Sequence, residues 1–346
     1  MNKFVASDGT TEVVPLRKKQ SRNPRKQKNT RMNDLPSISV IVATYRREGP
    51  LMDCLESVMA QDYAGQMETI VVEQGRRRPH EALDSFFILY RRKITRLRQP
   101  GPNLPMARNA GSAAARNELL LFVDDDMVLP RGAIARLSSR VQPYSRCALA
   151  GLPVSDRAPE SSFNLYARLY GERIRDAASA LIEHPTYIPS PFCIPAQLYR
   201  CLGGFDENLG KLSPTAYGED NEFWQRAGRS GIKLFIDPGL RVTHRDHLVG
   251  GCGSRQTDPS LALKYHVKSM AYIRIKRHGR LGAGGWLQLA RGYIANREIL
   301  RRRPGQVVRN LMTARKAVAE VRTFMARRAA AEELSARLPL PVGRTR

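Results

Sequence analysis

From residue 37 onward, short apolar runs alternate with segments of helical apolar spacing, and that alternation leaves few folds open to the chain. Residues 38–43, 68–72, 94–97 and 119–123 read as strands. Between them, residues 51–60, with Leu51, Leu55, Val58 and Met59 on one face, and residues 81–91 and 105–116 read as helices. Such repetition implies right-handed crossovers and an α/β fold: a Rossmann-like, mainly parallel sheet flanked by helices. A G-x-G-x-x-G turn is absent after the first strand, where Thr44, Tyr45, Arg46 and Arg47 stand, so no dinucleotide cofactor is expected.

The last of these runs, LLLFV, ends on three consecutive carboxylates, Asp124, Asp125 and Asp126. A wholly apolar run of that length reads as a buried strand, and the ends of such strands are where α/β proteins place ligands. Three adjacent negative charges raise the pKa of at least one of them unless a cation offsets them. Mn²⁺ or Mg²⁺ would do so and leave coordination positions for a diphosphate. A solvated acidic turn is the alternative, and the rest of the chain decides between them.

Net charge is +25, but it is unevenly spread. Residues 1–36 carry nine Lys/Arg against three Asp/Glu, residues 37–260 carry 28 against 25, and residues 261–346 carry 20 against four. A nearly neutral body with basic ends suits attachment to an anionic surface, either membrane or polynucleotide. No apolar run approaches the roughly 20 residues that span a bilayer, and none follows the basic residues 17–31 as a secretory signal requires. The expectation is a cytoplasmic protein. Five cysteines without CxxC spacing argue against a zinc site and a disulfide framework.

Beyond Pro130 the sequence gives a further helix, a strand over 147–152 and a long irregular stretch, 153–195, expected to cover the carboxylate end of the sheet. Gly203, Gly204, Phe205 and Asp206 follow. Then Gly218, Glu219, Asp220, Asn221 and Glu222 open a helix that stops at Gly231. Extended pieces over 232–236 and 240–243 deliver His244. Near the C-terminus Val307, Leu311, Ala314, Val318, Val321 and Met325 recur at helical spacing, with Arg309, Arg315, Lys316, Arg322, Arg327 and Arg328 between them. That basic amphipathic helix either packs on the domain or lies on a membrane surface. Trp286, Tyr293 and Ile294, near Arg291 and Arg297, add groups suited to a bilayer interface.

Five stretches in order, SISVIVATYRR, ETIVVEQG, GPNLPMARNAGSAAARNELLLFVDDDM, GGFDENLG and GEDNEFWQRAGRSGIKLFIDPGLRVTH, resemble family 2 glycosyltransferases of the GT-A fold over about residues 37–250. The resemblance implies a nucleotide-sugar half over 37–130 and an acceptor half over 131–260; the basic helical extension over 261–346 lies outside it and is read from its charge and apolar spacing. It implies that Thr44, Tyr45, Arg46, Glu73, Arg108, Asn109 and Asp124 bind the donor, with Glu73 standing where many relatives have Asp. Asp124, Asp126 and His244 are implied as metal ligands, with His247 as the near alternative to His244. Asp220 is implied as the catalytic base of an inverting, non-processive transfer, and Glu219, Glu222, Trp224 and Gly204 as acceptor or support residues. Asp220 also suits a helix N-cap, Asn109 a local helix hydrogen bond and Trp224 a core position. Asp125, facing the other way, is expected to tolerate replacement best. The partners implied by the resemblance are a nucleotide-sugar donor and a glycan or lipid-linked acceptor; the charge and spacing of the extension add the anionic inner face of the membrane as an expected partner.

Two other functions fit less of the sequence. A nucleotidyltransferase needs an early Gly-rich phosphate turn, which is missing. A nucleic-acid-binding protein accounts for the basic ends but not for the neutral body. A processive synthase of the same superfamily would carry membrane-spanning helices and a QxxRW segment.

Overall fold

The computed structural model describes residues 35–76, 79–213, 218–246, 259–295 and 297–337. Nearly all of the basic N-terminal segment, and His247, lie outside the described residues.

The first half follows the expected alternation: β1 (Ile38–Thr44), α1 (Glu48–Met59), β2 (Met67–Gln74), α2 (Glu81–Leu89), β3 (Ile94–Gln99), α3 (Leu104–Ala114) and β4 (Leu119–Asp124). Its four strands are parallel, in the order β3–β2–β1–β4. Side-chain alternation along β4 explains why the run is apolar throughout. Leu120 and Phe122 face one core, with Ile41, Ile70, Ala107 of α3 and Phe192. Leu119, Leu121 and Val123 face the other, with Val40, Val42, Leu51 and Leu55 of α1 and Leu83 of α2.

The second half departs from a purely parallel sheet. It contains β5 (Met127–Val128), α4 (Ala133–Arg140), β6 (Cys147–Ser155), α5 (Pro159–Tyr170), a 3₁₀ turn (Glu172–Arg175), β7 (Ile182–Glu183) and β8 (Phe192–Pro195). After these come α6 (Ala196–Cys201), α7 (Glu207–Leu212), α8 (Glu219–Arg229) and β9 (Lys233–His244). The stretch 153–195, expected to be irregular, thus supplies both a helix and β8, which lies antiparallel between β4 and β6 in the middle of the sheet. Four residues among prolines are too few to show a period.

The two extended pieces before His244 are one strand. Ala150 of β6 pairs with Ile236, and Leu152 already with Arg241; the surplus residues bulge out at Asp237, Pro238 and Gly239. Asp237 is fully buried at this bulge and accepts hydrogen bonds from Arg136 Nε (2.6 Å) and Nη2 (2.8 Å) and from the Gly239 N–H (3.0 Å). Burial alone would raise its pKa, but Arg136 and Arg140 more than offset this and hold it below the ordinary aspartate value. A carboxylate with a depressed folded pKa stabilises above its unfolded pKa and loses that contribution as pH falls through the folded one. Asp237→Asn should therefore cost about 2 kcal/mol at neutral pH. In urea titrations the gap to wild type should close below about pH 4.

The C-terminal extension is helical: α9 (Pro259–His278), α10 (Gly282–Leu289), a π turn (Ala290–Ile294), α11 (Arg297–Arg302) and α12 (Gln306–Arg337). α9 and α12 pack against each other around Val267, Ala271, Ala314, Ala317, Val318 and Val321, and this third core reaches Leu209 and Leu212 of α7. Among the described residues no helix is long and apolar enough to cross a membrane.

Candidate active site

Register gathers the site. Thr44 pairs with Glu73 and Ala43 with Asp124, so β1, β2 and β4 end side by side. Past the acidic triplet, β5 runs antiparallel to β9 with Met127 opposite His244. The Arg245 N–H donates to the Asp126 carbonyl oxygen at 2.9 Å, which fixes the end of β9 against the triplet.

The three aspartates divide between two arginines, Asp124 turning to Arg108 and Asp125 and Asp126 sharing Arg47. Asp124 accepts from Arg108 Nη2 at 2.9 Å. Asp125 accepts from Thr44 Oγ1 at 2.7 Å and Arg47 Nη1 at 3.0 Å. Asp126 accepts from Arg47 Nη1 at 2.8 Å through Oδ2, while its Oδ1 lies 3.2 Å from His244 Nε2. Asp125 is therefore not the dispensable member: it is 4% exposed and ties the β1 end to the triplet. Burial, only partly offset by Arg47 and reinforced by Asp126, pushes its pKa up to about 6.

Arg108 forms the second cluster. It is 3% exposed on α3 and lies over the Phe205 ring, with its Cζ 5.1 Å from the centroid. Nη2 reaches Asp124, Nη1 donates to Asp220 Oδ1 at 2.7 Å, and Glu219 Oε1 lies 3.6 Å from Nη1. One guanidinium thus joins the end of β4 to the start of α8. Asp220 is not an N-cap, since Gly218 holds that place with φ +83 and Asp220 stands one residue inside the helix. Burial raises the pKa of Asp220 against the pull of Arg108. Glu219 is driven well up by burial and by the neighbouring Asp220, with Arg108 pulling the other way.

Four residues expected around the substrates have structural places. Asn109 is fully engaged in holding the loop before α7. Its Nδ2 donates to Phe205 O (2.9 Å) and Glu207 Oε1 (3.0 Å), and its Oδ1 accepts from the Phe205 N–H (2.9 Å) and the Tyr199 hydroxyl (2.7 Å). Gly204, at φ +67, makes room for this clamp, because a Cβ there would sit 2.5 Å from Asn109 Oδ1. Trp224 is fully buried against Phe192 and Phe223, so it is core and cannot touch an acceptor. Glu222 is also buried and pairs with Arg226 (2.8 Å) and Lys276 of α9 (3.1 Å), a supporting place.

On the β1–β2 side, Glu73 is buried and pairs with Arg96 at 2.8 Å, while the Arg46 guanidinium lies 5.2 Å from the Tyr45 ring centroid. The recess between them, lined by Thr44, Arg46, Glu73 and Gln74, measures about 10 Å³. A cavity of about 1050 Å³ lies elsewhere, between residues 202–208 and the C-terminal part of α12, away from the acidic triplet.

Which residues fit a metal follows from the donor set. Among the described residues no three acidic, His or Cys side chains converge on one point. Asp124, expected as a ligand, is turned to Arg108 instead. Asp126 and His244 do converge, and His244 Nδ1 lies 3.0 Å from Asp246 Oδ1. An imidazole held by a carboxylate on one nitrogen presents the other to a cation. Burial alone would lower the His244 pKa, but Asp126, with Asp124 and Asp246, outweighs it and raises the value. A carboxylate and an imidazole fit a divalent ion and would leave it positions for further oxygen ligands. Arg47 and Asp246 were not singled out from sequence. The available signals were the second arginine after the first strand and the His-x-Asp spacing after the last.

The sequence profile described as Glycosyl transferase family 2 matches residues 39–199. An N-acetylglucosaminyltransferase of Bradyrhizobium elkanii is 32% identical over 133 residues, 36% of this chain and 70% of that relative. The chain belongs to glycosyl transferase family 2. It spans about half the length of the next curated relatives it matches. In this glycosyltransferase the fold is GT-A. S. aureus TarS 1-349 in complex with UDP-GlcNAc superposes with a TM-score of 0.55 at 16% identity, over 82% of this chain and 81% of that one. GalNAc-T7 with UDP, GalNAc and Mn²⁺ superposes with a TM-score of 0.53 at 17% identity, over 79% and 57%. Expected fold and enzyme class therefore both stand.

Proposed function

We propose that the enzyme transfers one sugar, with inversion, from a nucleotide-diphosphate sugar to a hydroxyl of a glycan or lipid-linked acceptor in cell-surface polysaccharide or glycolipid synthesis. The observation that carries this reading is the single guanidinium of Arg108 bridging Asp124, beside the Asp126–His244 pair, to Asp220. That bridge couples the donor half, residues 37–130, to the acceptor half, residues 131–260.

Asp126 and His244 would hold Mn²⁺ or Mg²⁺, with Asp246 orienting the imidazole. When bound, the ion supplies charge neutralisation for the departing diphosphate. Thr44, Tyr45, Arg46 and Glu73 face the nucleoside, and Asp124 its ribose. Asp220, whose charged form the Arg108 guanidinium favours, takes the proton of the acceptor hydroxyl as that oxygen attacks the anomeric carbon opposite the leaving diphosphate. Glu219 shares the Arg108 guanidinium with this carboxylate, and Glu222, paired with Arg226 and Lys276, braces the start of α8 against α9.

A thermal-shift screen of nucleotide sugars with and without Mn²⁺ tests the reading. One nucleotide sugar should raise the melting temperature, and the rise should need the ion. Equal shifts for every nucleotide, with no dependence on the ion, would speak against it.

A further inference from the structure

The face of α12 turned away from α9 carries an unusual composition. Its packed side uses Ala314, Ala317, Val318 and Val321, and Glu320 bridges to Lys264 (3.0 Å) and Lys268 (2.6 Å) of α9. At about 100° per residue, Val308, Met312 and Ala319 fall together on the opposite side. Val308 is 64% and Met312 67% exposed. Arg315 and Arg322 flank this strip on one edge and Arg309 and Lys316 on the other, all exposed. Ahead of α12, Leu300 is 54% exposed, and Arg301, Arg302 and Arg303 are exposed beside it. From Arg297 to Lys316 there are seven Lys/Arg and one acid, Glu298.

A water-facing surface carries scattered apolar side chains, whereas here two of them, Val308 and Met312, both largely exposed, sit one turn apart between basic edges. A face meant for a polynucleotide uses the cations on its phosphates but gains nothing from the apolar strip between them. An apolar strip edged by long basic side chains matches the interface of an anionic bilayer. There Val and Met enter the acyl boundary, while Arg and Lys stems lie along it and reach lipid phosphates.

We propose that this exposed face of α12, continued by Leu300 and Arg301–Arg303, docks the enzyme on an anionic lipid bilayer. The docking requires no sugar donor, so its test is separate from that of glycosyl transfer. Deleting residues 306–346 would be a poor test, because it also removes the α12 side of the core shared with α9.

The full-length protein is floated with phosphatidylcholine vesicles, with or without phosphatidylglycerol, near physiological ionic strength. Wild type should float with the anionic vesicles only. Val308→Glu/Met312→Glu should stay at the bottom with an unchanged melting temperature, and Val308→Ser/Met312→Gln gives the same reading should the charged pair disturb the helix. Arg309→Gln/Lys316→Gln should weaken binding roughly 25-fold, about 5-fold per cation removed. Failure of wild type to float, or flotation of both strip variants as wild type, overturns the proposal. So does retention of single-stranded RNA that depends on the cations but not on the strip, in the absence of vesicle binding.

Discussion

Asp220→Asn should lower the transfer rate by about 10²- to 10⁴-fold, the range that a positioned general base supplies, while donor affinity stays at the wild-type level. The substitution keeps the size of the side chain and a hydrogen-bond acceptor for Arg108 Nη1, now 2.7 Å away, and removes the ability to take a proton together with the charge that faces Arg108. Single-turnover transfer and donor titration, run on the same preparation, separate the two quantities. The pH profile carries independent information. Because burial raises the Asp220 pKa despite Arg108, the acid limb of the wild-type profile should lie above the ordinary aspartate value, with rate lost as pH falls through it. A variant that transfers at the wild-type rate would remove Asp220 from the base role.

Arg108→Met should have the largest effect on stability. The guanidinium is 3% exposed and faces Asp124, Asp220 and Glu219 at once. Removing one partner of a buried ion cluster leaves uncompensated charge, a loss of about 3–5 kcal/mol. Urea unfolding at neutral pH reads that loss. The fully folded fraction should show a second change: without Arg108, Asp220 is a weaker acid, so the acid limb of transfer moves to higher pH. Arg108→Lys should fall between, because one ammonium cannot span Asp124 and Asp220 with the rigid fork that the two nitrogens provide. An Arg108→Met protein of unchanged stability and pH profile would mean that the bridge is incidental.

The first half of the fold was legible because each of its strands has enough apolar residues to show a boundary and each helix an apolar face. β8 was not. Phe192 to Pro195 is a four-residue strand between prolines, and only its pairing with β4 and β6 marks it as central. The bulge at Asp237 made one strand read as two. At the site, residue types and order announced the acidic triplet, Asp220 and His244, since those chemistries depend on side-chain identity. Orientation was hidden. That Asp124 turns to Arg108, that Asp125 ties down Thr44, and that Asn109 clamps the loop at Phe205 depend on which way each side chain leaves the backbone. Three consecutive carboxylates split between a strand end and the turn after it carry no period to predict that. Trp224 was open between core and acceptor side, and its neighbours Phe192 and Phe223 settle it as core.

The central claim is that a divalent ion held by Asp126 and His244 joins the protein to a nucleotide diphosphate. Calorimetric titration of UDP-GlcNAc and of other nucleotide sugars tests it, using wild type and Asp126→Asn, each with and without Mn²⁺. At least one donor should bind wild type only with the ion present. Asp126→Asn should bind that donor weaker by no less than the roughly 10- to 100-fold that even outer partners of a metal are worth. Donor binding of equal strength with and without Mn²⁺, and unchanged in Asp126→Asn, would contradict the account.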